Sequence, residues 1–298
     1  MSNIESKLVS YYNKCDVSLA KAAELPYTAI NLVFLKTVTS DKPEEVKLHL
    51  NEAIAANENF LELSTEIKNE ITKLQEAGKK VLISFGGCTM DFSCYRQLVG
   101  KEKELAESIA VFVRENKLDG VDIDYEDTTG FNGTGGYNGV DFLVNLTKSL
   151  REELPDPFII SHAPQPTYFE PKKHGFSNGA YLSIMKEVGN LINWLNIQFY
   201  NNESWNGNPQ EILSSYEQFS NLQGITPEKL LIGLPVKRND ASPESFIPIN
   251  QIISQIIEPF NSNNKVLGGI MNCEFSSDVD GMWARSIGAE LNLVPQNA

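Results

Sequence analysis

The segment from Asp119 to Glu126, which reads DGVDIDYE, has the clearest capacity for chemistry in this sequence. It ends a short run that predicts a β-strand, and side chains alternate along a strand. Asp122, Asp124 and Glu126 are therefore expected to point to one face. Three carboxylates on one face repel one another, so a strand with a purely structural role is not expected to carry them.

The closeness of these carboxylates is expected to change their acidity. Like charges held together raise some of the pKa values, so one carboxyl group can stay protonated near neutral pH. A proton donor beside an ionised partner is what cleavage of a glycosidic bond requires. The alternatives are a metal site or a solvated acidic edge strand. A hard-cation site usually takes ligands from a loop with a glycine turn, and none is evident here, so no metal is expected.

Eight short apolar runs, rich in β-branched and aromatic residues, predict the strands that must position this segment. They span residues 7–13, 27–36, 80–86, 118–125, 157–163, 194–201, 229–236 and 266–273. Helical periodicity is clearest at 58–78, 101–116 and 139–153, with a helical tail at 279–291. This alternation predicts the α/β class and a single-domain (β/α)8 barrel over residues 1–298. A doubly wound open sheet is less favoured, because no GxGxxG follows the first strand.

The charge and composition restrict the partners. The formal net charge is −14, and a nucleic-acid partner is not expected because phosphate binding needs clustered Lys and Arg. No apolar run reaches the length of a membrane span, so no membrane partner is expected. The first eight residues lack the apolar core of a signal peptide. Localisation therefore stays open between the cytosol and secretion with the leader already removed.

The cysteines are Cys15, Cys88, Cys94 and Cys273, and they show no zinc-ligand spacing. Cys88 and Cys94 are near enough in sequence to form a disulfide, but free, mostly buried thiols are expected.

The pattern DxxDxDxE at the end of a fourth barrel strand resembles that of family 18 glycoside hydrolases, which include chitinases and endo-β-N-acetylglucosaminidases. Other motifs extend the resemblance to the small single-barrel chitinases of plants and fungi. They are SFGG at 84–87, APQ at 163–165 and QFYN at 198–201. Tyr11 and Phe34 occupy the aromatic positions that those proteins have on strands one and two.

The resemblance implies a retaining, substrate-assisted mechanism that needs no cofactor. Glu126 would protonate the glycosidic oxygen, and the substrate's 2-acetamido carbonyl would attack the anomeric carbon. Asp124 would orient the acetamido group, with Asp122 sharing its proton. Tyr200 would hydrogen-bond the acetamido oxygen, and Gln198 would contact the same sugar. These four residues, Glu126, Asp124, Asp122 and Tyr200, are the predicted catalytic set.

The predicted substrate-binding residues are Gln198, Asn201, Tyr11, Phe34, Gly87, Ala163, Met271 and Cys273. Cys273 departs from the family, which usually has a tryptophan there as the floor of the cleaved-sugar subsite. Loss of that stacking surface is expected to cost about 1–3 kcal/mol of binding. About 30 residues separate the last two strands, too few for the α+β insertion of some relatives. An open, shallow groove and endo-type cleavage are therefore expected, with no chitin-binding module.

The leading hypothesis is an endo-chitinase, expected to be a monomer, that acts on chitin or other N-acetylglucosamine-containing oligosaccharides. An endo-β-N-acetylglucosaminidase that cuts N-glycan chitobiose cores is the alternative within the same chemistry. A non-catalytic chitinase-like lectin is the alternative of another class. All four acids of the motif are present, which favours an enzyme, whereas Cys273 is the feature that suits a lectin.

Several other polar and aromatic residues admit two interpretations. Asp119 is out of phase with the carboxylates and is expected to be structural, and Ser84 either aids packing or contacts substrate. Trp205 is a candidate for stacking on a sugar face, whereas Trp194 and Trp283 suit core positions. Loop 127–139 either lines the groove with Phe131 and Tyr137 or forms a flexible surface loop. The histidines, each expected to be hydrogen-bonded or solvated rather than a ligand, are His49, His162 and His174.

Overall fold

The computed structural model describes residues 6–13, 17–38, 45–56, 61–170, 179–263 and 265–293. Eight of its strands are parallel and form a closed barrel, because β1 pairs with both β2 and β9. The barrel strands are β1 (Lys7–Tyr12), β2 (Ala29–Thr37), β4 (Lys80–Gly86), β5 (Gly120–Asp124), β6 (Ile159–His162), β7 (Trp194–Gln198), β8 (Leu230–Pro235) and β9 (Gly269–Cys273). This confirms the predicted (β/α)8 barrel, and each strand coincides with a predicted run.

Helices lie in the connections between the barrel strands and after the last of them. They are α1 (Thr65–Glu76), α2 (Phe92–Leu98), α3 (Glu102–Glu115), α4 (Thr128–Asn132), α5 (Gly139–Glu153), α6 (Ala180–Val188), α7 (Pro209–Phe219), α8 (Ile249–Ile252), α9 (Glu258–Ser262) and α10 (Met282–Glu290). A π-helical turn, Ile253–Ile257, joins α8 to α9. Side-chain caps fix several starts, since Ser64 accepts a hydrogen bond from the Ile67 N–H and Asn138 accepts one from the Val140 N–H.

Several short elements were not predicted individually from the sequence, and two of them bear on the region around the site. The short strand β3 (Leu48–Leu50) pairs antiparallel with the end of β2, and three residues are too few to show a period. Helix α4 lies in the glycine-rich loop after β5, where Asp127 accepts a hydrogen bond from the Thr129 N–H at 2.9 Å and caps its start. The helix predicted at 58–78 begins at Thr65, although residues 57–60 lie outside the described part of the chain.

The barrel interior is divided into an apolar and a polar layer. Apolar side chains fill the end at which the strands begin, among them Val9, Ala29, Leu82, Trp194 and Leu231. Polar side chains follow at the next inward-facing positions, and all of them are fully buried or nearly so: Tyr11, Asn31, Ser84, Asp122, Ser161 and Asn196. The strand register sets Ser84, Asp122 and Ser161 side by side. The layer therefore brings donors from several strands around one carboxylate.

The structure also shows the positions of Asp119 and of the cysteines that the sequence analysis considered. Asp119 accepts hydrogen bonds from the Val81 N–H at 2.9 Å and the Gln75 amide at 3.0 Å, which confirms a structural role at the base of β5. Cys88, Cys94 and Cys273 are not disulfide-bonded, and Cys88 is exposed, whereas Cys15 and His174 lie outside the described residues. Across the part of the chain that the structure describes, every helix is too short or too polar for a membrane crossing.

Candidate active site

Asp122 lies at the centre of the barrel with hydrogen-bond donors on both of its oxygens. Its Oδ2 accepts from the hydroxyl groups of Tyr11 and Ser84, each at 2.8 Å. Its Oδ1 accepts from the Ser161 hydroxyl at 2.6 Å and the Asn196 amide at 3.1 Å. Burial raises the pKa of Asp122, and these four donors oppose the rise because they stabilise the ionised form.

The four hydrogen bonds of Asp122 limit how it can interact with Asp124, the next inward-facing residue of β5. A carboxylate has about four acceptor positions, and four donors occupy those of Asp122. In this arrangement Asp122 has no free position with which to share a proton with Asp124. The negative charge of ionised Asp122 raises the pKa of Asp124.

Asp124 and Glu126 lie at the carboxyl end of β5, where the barrel opens. Asp124 is 4% exposed, and its Oδ1 accepts a hydrogen bond from the Gln198 amide at 2.9 Å. Burial raises the pKa of Asp124 well above its ordinary value, and the charges of Glu126 and Asp122 raise it further. Burial also raises the pKa of Glu126, which a hydrogen bond from Gln198 partly offsets. The pair therefore retains a proton at a pH at which an isolated carboxyl group is ionised.

Tyr200 and Cys273 meet across the mouth of the barrel. Tyr200 is 8% exposed, and it lies near enough to Cys273 in the same cleft for each group to affect the pKa of the other. Burial raises the pKa of both groups, so the phenol and the thiol are neutral near pH 7. The family resemblance predicts a tryptophan at position 273. The chain has the small thiol of Cys273 there instead, beside Tyr200.

These groups open onto a cleft of about 520 Å³ at the carboxyl ends of the strands. Eight predicted site residues line it: Glu126, Asp124, Tyr200, Gln198, Asn201, Tyr11, Phe34 and Cys273. The structure brings these together from β1, β2, β5, β7 and β9 and the turns that follow them. Among the described residues, no cluster of His, Cys, Asp or Glu has the size and spacing of a metal site.

The other predicted residues lie beneath the cleft surface. Asp122 is fully buried in the polar layer, and Ala163 and Met271 are 1% and 0% exposed. Gly87 is covered by Phe34, since a Cβ atom on Gly87 would lie 2.5 Å from the ring. These positions shape or support the cleft and do not form its surface. Ser84 behaves likewise, because it is fully buried and donates to Asp122.

Sequence reasoning missed nine residues that line the cleft: Asn13, Val33, Lys36, Asn51, Cys88, Thr89, Gln165, Asp240 and Glu274. Some carried a usable signal. Gln165 belongs to the APQ motif, Lys36 shares the strand face of Phe34, and Glu274 directly follows β9. Asn51 had none, because it enters the cleft from β3, which the sequence pattern did not predict.

The remaining aromatic and histidine candidates belong to the core. Trp205 is 2% exposed and donates to the Ser215 hydroxyl at 2.7 Å, so it offers no surface to a sugar. Loop 127–139 folds back onto the barrel, where Phe131 packs 4.9 Å from Tyr125 and Tyr137 donates to Asp127. This loop does not line the cleft, and its aromatic rings pack on the barrel while Gly133, Thr134, Gly136 and Asn138 are exposed at the surface.

His162 confirms the expectation of a satisfied core histidine. It is fully buried, with Nε2 3.2 Å from the Thr147 hydroxyl and Nδ1 3.1 Å from the Tyr181 hydroxyl. Burial lowers its pKa to about 3, so the ring is neutral. His49 lies exposed on β3. Trp194 and Trp283 are buried, as expected of core positions.

Comparisons with known proteins agree with this geometry. Residues 7–267 match the profile of Glycosyl hydrolases family 18. The acidic endochitinase of Cicer arietinum is 24% identical over 272 residues, a match that covers 88% of this chain and 83% of that protein. A GH18 chitinase from Pseudoalteromonas aurantia has 46% identity and a TM-score of 0.89, with 96% of this chain and 100% of that chain covered.

The fold occurs beyond proteins named chitinases. The xylanase and α-amylase inhibitor protein of Scadoxus multiflorus has a TM-score of 0.67 at 17% identity, with 95% of this chain and 97% of that chain covered. At that identity the likeness shows the fold alone. The site residues must therefore carry the functional argument.

A parallel barrel whose fourth strand, β5, leads into carboxyl groups at an open cleft defines a barrel enzyme of acid–base chemistry. The profile match and the 46% identical structure then identify the family to which this barrel enzyme belongs. The chain belongs to glycosyl hydrolases family 18, and it is a glycoside hydrolase similar to endochitinases.

Proposed function

We propose that the protein is a retaining endo-chitinase that hydrolyses β-1,4 linkages between N-acetylglucosamine units with the help of the substrate's own acetamido group. The observation that carries this proposal is the arrangement on β5. Glu126 lines the cleft, and the buried Asp124 lies one inward-facing position below it with a raised pKa. The relatives named as chitinases support chitin as the substrate.

The geometry suits each proposed role. Glu126 is the proton donor for two reasons. Burial raises the pKa of its carboxyl group, so the group stays protonated to a higher pH than an isolated carboxyl group does. The residue also lines the cleft, where a ligand can reach it. Asp124, hydrogen-bonded to Gln198, stabilises the acetamido group as it attacks the anomeric carbon. The neutral Tyr200 hydroxyl supplies a hydrogen bond to the acetamido oxygen. Glu126, now ionised, then activates the water that opens the oxazolinium ring.

The substrate class is tested by sizing products. The protein is incubated separately with chitooligosaccharides and with a high-mannose glycopeptide. Internal cleavage of the chitooligosaccharides supports the proposal. Cleavage of the glycopeptide alone would reassign the protein to N-glycan cores, and binding without cleavage of either would make it a lectin.

The mechanism predicts the stereochemistry of the first product. Attack by the acetamido group and then by water inverts the anomeric carbon twice, so the β-anomer is released first. Proton NMR of the earliest product measures this. A thiazoline analogue of the oxazolinium ion is expected to inhibit, and substrates without N-acetyl at the cleaved sugar are expected to be inert. An α-anomeric first product contradicts the mechanism.

Gln198→Leu is expected to move the alkaline limb of the pH–rate profile to higher pH. The Gln198 amide stabilises the ionised carboxylates and thereby lowers the pKa of both Asp124 and Glu126. Its removal raises those pKa values, so the acid stays protonated to a higher pH. The position of the limb in kcat, rather than its height, is the measurement. Gln165→Leu in the same cleft is the matched control, and a limb that moves equally in both variants, or not at all, would reject the argument.

A further inference from the structure

A second cavity, of about 430 Å³, lies at the opposite end of the barrel from the cleft. It opens where β1, β4 and β7 begin, with Lys7, Lys80 and Trp194 at the first positions of those strands. Lys79 lines it as well. No Asp or Glu is found among its described lining residues, although the chain has 39 acidic against 25 basic residues. The lining of this cavity is therefore basic, although the protein as a whole is acidic.

Lys79 is the unusual residue of this cavity. It is 6% exposed, and its ammonium group forms no hydrogen bond or ion pair within the described part of the chain. Lysine is almost never buried to this degree without a partner. The neighbouring lysines differ, since Lys80 pairs with Asp119 at 2.9 Å and Lys7 donates to the Glu228 carbonyl at 3.4 Å. Burial lowers the pKa of Lys79, as expected for an uncompensated cation.

Trp194 adds a second donor without an acceptor. It is 5% exposed, and its indole N–H meets no hydrogen-bond acceptor among the described residues. The Lys7 ammonium lies 5.8 Å from the centre of its ring. A buried donor that lacks an acceptor is costly, and Trp194 lines the same cavity as Lys79, whose ammonium group has no protein partner among the described residues. Both point to a ligand that brings negatively charged oxygen atoms.

We propose that this cavity binds a small oxyanion of the carboxylate, phosphate or sulfate class, with Lys79 as its principal partner and Lys7 and Trp194 beside it. Charged hydrogen bonds from an ammonium group to an oxyanion are among the strongest in proteins. The volume is within the range of small-molecule sites, about 300–1,000 Å³. Because the cavity lies at the end of the barrel that serves stability, its ligand stabilises the fold without entering the reaction.

Thermal unfolding in the presence of inorganic phosphate tests the site. At constant pH and ionic strength, phosphate in place of chloride is expected to raise the Tm of the wild-type protein to a saturating value. Lys79→Met is expected to weaken the apparent affinity at least about tenfold, because the charge-assisted bond is lost. Lys73→Met, on the exposed face of α1, is the matched control and is expected to retain the full shift.

Two further measurements make the outcome decisive. A parallel titration uses citrate in place of phosphate. Saturation at a lower concentration of citrate identifies a carboxylate ligand, whereas saturation at a lower concentration of phosphate identifies a phosphate ligand. Trp194→Phe removes the indole N–H together with part of the ring beside Lys7, so a weakened affinity in that variant supports the site even where Lys79→Met does not fold. A wild-type Tm that does not rise with either anion, or an equal rise in Lys79→Met, overturns the proposal. None of these readouts depends on hydrolytic activity.

Discussion

Replacement of Glu126 by glutamine is expected to lower kcat on chitooligosaccharides by about 10²- to 10⁴-fold, the usual contribution of a general acid. The amide has nearly the shape of the carboxyl group but cannot donate a proton of comparable acidity. Glu126 lines the cleft and is only partly buried, so the fold and the affinity for ligand are expected to stay nearly unchanged. Steady-state kinetics, a thermal melt and calorimetric titration of the same variant separate these quantities.

The matched control is Glu274→Gln, which changes a carboxyl group in the same cleft but outside β5. Its kcat is expected to stay within about tenfold of the wild type, because it is not the proton donor. A Glu126→Gln enzyme that keeps activity within that same range would remove Glu126 from the acid role. Equal losses in both variants would indicate that the charge of the cleft, and not one donor, governs the rate.

Asp122→Ala is expected to lower the free energy of unfolding by at least about 3 kcal/mol, because buried donors that lose their acceptor cost about 1–3 kcal/mol each. Four such donors face this one carboxylate. Some of the hydroxyl groups can turn toward other acceptors, which keeps the loss below the full sum. Denaturant unfolding monitored by circular dichroism at neutral pH gives the difference directly.

Asp240→Ala provides the comparison. Asp240 lines the cleft, and it accepts hydrogen bonds from the Ser277 hydroxyl at 2.6 Å and the Lys237 N–H at 2.7 Å. It is only partly buried, so water can replace these bonds and a loss of about 1 kcal/mol or less is expected. Similar losses in the two variants would show that the buried network adds nothing special to stability.

Strand periodicity explains why much of the site could be predicted. The alternation in DGVDIDYE places Asp122, Asp124 and Glu126 on the inward face, and the structure has them there. The eight apolar runs likewise predicted the barrel, because each is long enough to show its period. Local pattern was sufficient wherever one strand alone determines the direction of a side chain.

Contacts between distant strands could not be predicted in the same way. Tyr200 and Cys273 lie near the ends of two strands, β7 and β9, that only barrel closure brings together around one cleft. The placement of Gly87 beneath Phe34 depends on the packing of one ring. Loop 127–139 has a composition that suggests mobility, yet Tyr137 donates to Asp127 and anchors it. These features depend on tertiary contacts, for which a single sequence carries no periodic signal.

The donors around Asp122 also make this carboxylate a test of correct strand alignment during folding. They come from β1, β4, β6 and β7, while Asp122 itself lies on β5. A slip of any of these strands by one residue would turn its donor away from the interior, and a slip by two would move it by about 7 Å. Each misaligned barrel would therefore bury a charge that lacks part of its compensation. A residue that we predict to belong to the catalytic set thus also disfavours wrongly paired barrels, so in this proposal selection for catalysis and selection for a unique fold act on the same position.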